Sequence, residues 1–101
     1  MSVKRQVDET HSEVTISIEG RFDFSLHKVF RDAYRDFSST SMRFVVDLND
    51  ASYLDSSALG MLLLLREHAG GERAQVRIIN AQGDVMRVLK IANFDRLFAF
   101  D

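Results

Sequence analysis

Segments with strand periodicity and segments with helix periodicity take turns along this chain, and that alternation limits its fold more than any other feature. Val14, Ile16 and Ile18 alternate with Thr15, Ser17 and Glu19, the period of a half-buried strand. Leu26, Val29, Phe30, Ala33, Tyr34 and Phe37 then recur at the spacing of one helical stripe, with Ser25 as candidate N-cap. Phe44-Val45-Val46 and Leu48 form a near-continuous apolar strand of the kind covered on both faces. The loop "NDASYLDS" leads into a second helix, which Gly70-Gly71 stops. Val76, Ile78 and Ile79 give another strand. Residues 82–91 read as a third helix with Val85, Val88, Leu89 and Ala92 on one stripe.

The ends of the chain are less regular. Val3 and Val7 share one face of a weak edge strand. The polar turn "ETHSE" joins it as a hairpin to the second strand, which Gly20 ends. Ser38-Ser39-Thr40-Ser41 reads as a polar loop closing the first helix, and "NFDRLFAFD" as a final helical turn or two. The order β-β-α-β-α-β-α predicts an α/β domain. Its small mixed sheet has about four strands, an N-terminal antiparallel hairpin followed by parallel crossovers, with three or more helices mainly on one side.

Bulk composition narrows the functional classes. A length of 101 residues predicts one domain over 1–101. With no cysteine, disulfide frameworks and thiolate metal sites are excluded. A net charge of -2 gives no electrostatic reason to expect nucleic acid. The longest apolar run, Met61 to Leu65, falls far short of the ~18 residues of a membrane span, and "MSVKRQVDETHSE" carries no apolar signal region. The expected protein is cytoplasmic and monomeric, without membrane contact.

Enzyme chemistry finds little footing. His11, His27 and His68 lie on separate elements, each read as a surface residue, with no i, i+4 pair for a metal. "DSSALG" lacks the flanking glycines of a nucleophile elbow. "HAGGER" lacks the lysine and strand-to-helix setting of a phosphate loop. The reading is therefore a non-enzyme without cofactor or metal.

The stretch that demands an explanation is "SYLDSSALGMLLLLR". Asp55, Ser56 and Ser57 stand together where the second helix begins. One side chain is enough to cap a helix, and three able to do so are present. One reading is plain capping by Asp55 or Ser56. The other is a hydroxyl held on a rigid surface element, ready to accept a phosphoryl group in trans and gain roughly -1.5 to -2 charges. Behind it, five successive apolar residues cannot all face inward at about 100° per residue, so one or two must look outward.

Asp55-Ser56-Ser57-Ala58-Leu59-Gly60 resembles the Asp-Ser-Ser/Thr-Gly-Leu-Gly motif of bacterial anti-sigma factor antagonists, the STAS domain family. Ala58 departs from it, standing where glycine is usual. Gly20-Arg21-Phe22-Asp23 is similar to the family's motif after the second strand, and "VRIINAQGDVMRVLKIANFDRLFAF" to its last strand, third helix and tail.

The resemblance implies that Ser56 takes the phosphate, with Ser57 as runner-up. It implies that the unphosphorylated protein binds an anti-sigma factor, often itself a serine kinase, and so frees a sigma factor, and that a serine phosphatase reverses the modification. Asp23, Phe22, Phe24, Asp55, Ser57, Leu59 and Met61 are the expected partner-binding residues. For Asp23 the alternative is a turn or cap residue, and for Phe22 and Phe24 a staple onto the first helix. Tyr53 and Leu54 are expected to pack under the loop. The alternative function is a STAS scaffold or accessory subunit of a transport or sensory complex, without a phospho-switch.

Overall fold

Alternation of side chains builds one face of the sheet that the helices cover and another that no helix covers. The computed structural model describes residues 2–37 and 42–101. Strands β1 (Ser2–Asp8), β2 (Glu13–Phe22), β3 (Arg43–Leu54), β4 (Val76–Ile79) and β5 (Ala99–Phe100) lie side by side in sequence order. β1 pairs antiparallel with β2, and every later pairing is parallel. Val14 lies opposite Phe44 and Phe44 opposite Val76, while Ile16, Val46 and Ile78 form the next row. All six are buried in the core. Thr15, Val45, Arg77 and Ala99 form a row on the other face.

Helices α1 (His27–Tyr34), α2 (Ser56–His68) and α3 (Gly83–Ile91) pack their apolar stripes onto the buried face. The fold is the expected mixed α/β domain with its leading hairpin and parallel crossovers. Among the described residues no helix is long and apolar enough to cross a membrane.

Four details differ from the sequence reading. Gly20 does not end β2. It sits at φ 85°, where the β2–β3 register shifts, and β2 runs on to Phe22. That continuation gives β3 a partner, so 49–54, read as loop, stays in the strand as far as Leu54. The tail forms a 3-10 turn at Phe94–Arg96 and then the short fifth strand β5, because Asn93 at φ 62° terminates α3 and turns the chain back to the sheet edge. The first helix is preceded by a 3-10 turn, Phe24–Leu26, and α1 itself ends at Tyr34. The proposed loop at residues 38–41 lies outside the described residues.

The apolar run on α2 divides as helix geometry requires. Met61, Leu62 and Leu65 are buried, while Leu63 and Leu64 are exposed at 39% and 56%. Each fully buried leucine contributes roughly 1.5–3 kcal/mol. Ala69 caps the helix end, and Gly70 at φ 118° takes the left-handed position that glycine fills without steric cost.

Candidate functional site

Two loops meet at one edge of the domain because β2 and β3 are parallel and end together. Phe22 is the residue opposite Leu54. One residue further on, each strand reaches an aspartate, Asp23 and Asp55. The two motifs are thereby adjacent in space although 32 residues apart in sequence.

Asp55 settles the capping question. Its Oδ1 accepts the Ala58 N–H at 3.0 Å, and its backbone is extended as an N-cap requires. Ser56 is the first residue of α2 and is exposed. Among the described residues its hydroxyl makes no hydrogen bond. Ser57 is half-buried, so of the two hydroxyls Ser56 is the more accessible. The free N–H groups and partial positive charge of the first helical turn favour an anion at this position.

Asp23 performs the corresponding task for the neighbouring loop. It caps the 3-10 turn, accepting the Ser25 N–H at 3.0 Å and the Ser25 hydroxyl at 2.6 Å. Arg21 lies 3.5 Å from its other oxygen. Donation from Ser25 is the main reason the Asp23 carboxyl is held below the usual carboxylate range, with Arg21 adding to it. Ser25, the expected cap, is therefore a donor to the real one. Asp23 combines turn and surface roles, since its side chain remains 25% exposed.

The two aromatics beside Asp23 part company. Phe24 is 67% exposed and stacks on the His27 ring, with centroids 5.0 Å apart. Phe22 is fully buried and meets Phe30 at 5.1 Å. Phe22 is thus removed from the expected partner-binding set. Its position on β2 continues the alternation of Val14, Ile16 and Ile18, because the strand runs past Gly20. Met61 is removed as well: at 4% exposure it belongs to the core, on the inward side of α2. Leu59 and Asp55 are half-buried at the margin.

Leu54 packs beneath the loop, but Tyr53 does not: it is 38% exposed, with the Arg21 guanidinium 3.8 Å above its ring. Sequence reasoning missed this pair, because the register that sets Arg21 opposite Tyr53 depends on the bulge. Of the histidines, His11 is on the surface beside Asp8, His27 is half-buried, and His68 is half-buried with Nε2 2.7 Å from the Phe37 carbonyl oxygen.

This architecture has clear relatives. The family model described as "Mlab, STAS domain" matches residues 5–99. A STAS-domain containing protein of Pseudomonas aeruginosa is 59% identical over 86 residues, covering 85% of each chain. Among solved structures, an anti-sigma factor antagonist from Mycobacterium paratuberculosis superposes with a TM-score of 0.75 at 20% identity, covering 98% of this chain and 85% of that one. The anti-sigma factor antagonist SpoIIAA superposes in its unphosphorylated form with a TM-score of 0.71 at 16% identity, covering 99% and 87%. The phosphorylated form of SpoIIAA from Bacillus gives 0.73 at 14% identity, covering 99% and 91%. The match over most of its length, together with the paired Asp23 and Asp55 loops, places the chain in the STAS domain family.

Proposed function

We propose that this protein is an anti-sigma factor antagonist working by partner switching. Unphosphorylated, it binds an anti-sigma factor and frees a sigma factor; phosphorylation of Ser56 by a serine kinase ends the binding, and a serine phosphatase restores it. The protein acts as a single cytoplasmic STAS domain over 1–101, a monomer and a substrate rather than a catalyst. The observation that carries this reading is the division of labour at α2: Asp55 caps, which leaves the exposed Ser56 hydroxyl without a structural task.

The switch needs no refolding. A phosphate on the first helical residue sits well with the helix dipole. Its charge is felt by whatever docks over the loop. Two like charges ~4 Å apart at an effective dielectric near 20 repel by ~4 kcal/mol, and each ~1.4 kcal/mol is a tenfold change in affinity. Partner contacts are assigned to Asp23, Phe24, Ser57 and Leu59 around Ser56, with Asp55 holding the helix start in place.

The test is incubation with a kinase-type anti-sigma factor of the same genome and Mg-ATP, followed by phosphosite mapping by mass spectrometry. The expected result is one phosphate on Ser56. Retention of an anti-sigma factor with no label on Ser56 or Ser57 would replace this reading by a scaffold or accessory role.

A further inference from the structure

Gly60 stands where the fold does not need a glycine. It lies within α2, is exposed, and a Cβ built on it meets nothing within 4 Å. Glycine in an exposed helix interior is less stable than alanine by roughly 0.5–1 kcal/mol. Neither a turn nor internal crowding accounts for it, so the missing Cβ serves an approach from outside.

The surroundings of Gly60 describe what approaches. At about 100° per residue, Ser56, Gly60, Leu63, Leu64 and Glu67 fall on the side of α2 opposite the buried Ala58, Leu62, Leu65 and Ala69. Gly60 lies between Leu63 and Leu64 on that side, forming a low floor with two exposed apolar walls. On α1, the exposed Lys28 and Arg31 make no ion pair among the described residues, whereas Arg35 is paired with Asp32 and Asp36. Arg31 shares a flank of α1 with Tyr34, whose ring meets His68 of α2 at 5.0 Å, so Arg31 borders the α1–α2 groove. The groove thus has an apolar notch on one side and uncompensated positive charge on the other.

We infer that an acidic amphipathic α-helix of the anti-sigma factor crosses α2 at Gly60, its apolar side between Leu63 and Leu64 and its carboxylates toward Lys28 and Arg31. Close helix crossings put a ridge of one helix into a groove of the other, and the missing Cβ lets the two axes approach. A helix seated there passes one turn from Ser56, where a phosphate would repel its carboxylates. The inference rests on the reading of the protein as an anti-sigma factor antagonist.

The test uses the anti-sigma factor retained by the unphosphorylated protein, with binding measured by calorimetry at low and high salt. Gly60→Ala is expected to raise Tm by a few degrees yet weaken binding at least tenfold. Lys28→Glu with Arg31→Glu is expected to weaken binding at least tenfold and to flatten its salt dependence. Lys4→Glu, the same kind of charge change on the uncovered face of the sheet, is expected to leave binding unchanged. Wild-type affinity in Gly60→Ala or in the double charge reversal overturns the inference, as does an equal loss in Lys4→Glu. If Ser56→Asp abolishes binding while Gly60→Ala does not, the switch stands and the helix crossing falls. If the unsubstituted protein binds no anti-sigma factor, both fall.

Discussion

Two helical starts in this protein carry nearly the same chemistry and dispose of their serines in opposite ways. In Asp23-Phe24-Ser25 the aspartate caps a single 3-10 turn and ties up both the N–H and the hydroxyl of the serine two places on. In Asp55-Ser56-Ser57 the aspartate reaches three places on, to Ala58, and the serine beside it is left unengaged. Spacing from the cap decides which hydroxyl is spoken for. A capping aspartate consumes a serine at i+2 when the turn is tight, and spares one at i+1 when a regular α-helix follows. The sequence motif alone cannot separate a capping serine from an available one, but the hydrogen bond of the aspartate beside it can.

The comparison holds only while the two starts stay side by side, and the strand pairing of Phe22 with Leu54 sets them there. Removing its ring leaves a cavity against Phe30 and beneath Leu54, so Phe22→Ala is expected to cost about 3–5 kcal/mol in urea denaturation. Phe24→Ala, two residues away on the exposed side, is expected to change stability by less than about 0.5 kcal/mol. Equal losses would mean that the two loops are not anchored through β2.

A second break targets the hydroxyl itself. Ser56→Asp is expected to weaken binding to the anti-sigma factor about a hundredfold, equivalent to ~2.7 kcal/mol, with an unchanged circular-dichroism spectrum. Ser56→Ala should bind whether or not kinase and ATP are present, and Ser25→Asp in the neighbouring loop should not reproduce the loss. Should Ser25→Asp and Ser56→Asp behave alike, the distinction between the two starts has no functional weight.

The caps differ in what they hold. Asp55 starts a 13-residue helix, so Asp55→Ala is expected to cost about 1 kcal/mol, and about 4–8 °C in Tm, with much of it recovered by Asp55→Asn. Asp23 starts only a three-residue turn, and Asp23→Ala should cost a few tenths of a kcal/mol. Differential scanning calorimetry of the pair gives the ratio.

Much of this architecture was legible in the residues because periodicity is a local property. Val14-Ile16-Ile18, the α1 stripe and the Gly70-Gly71 stop each carry their own signal. What was not legible depended on register. Phe22 faces the core because β2 continues past Gly20 with its alternation intact, while Phe24 falls beyond the strand in the 3-10 turn; whether 49–54 is loop or strand follows from that same continuation. β5 was missed for the same reason: Ala99–Phe100 is a strand only because β4 offers it an edge. At the site, the order of residue types placed an N-cap at Asp55 or Ser56, and the structure gives it to Asp55. The separation of roles came from one hydrogen bond, and the exclusion of Phe22 and Met61 from their burial.

The finest test of the comparison is a titration. Ser25 donates to Asp23 through both hydroxyl and N–H, which holds the Asp23 carboxyl below the ordinary range. A depressed folded-state pKa means that this group's contribution to stability is present above the unfolded-state pKa and is lost as pH falls through the lower folded value. Ser25→Ala removes the leading cause, so the Asp23 pKa, followed by carboxyl-carbon NMR, should move up toward the ordinary range. Arg21→Ala should move it less, and the share of acid destabilisation that comes from Asp23 should be smaller in the Ser25 variant, because its folded pKa lies closer to the unfolded one. If Asp23 titrates unchanged in Ser25→Ala, the Ser25 hydroxyl is not held by its neighbour. The contrast between the two helical starts would then lose its electrostatic support.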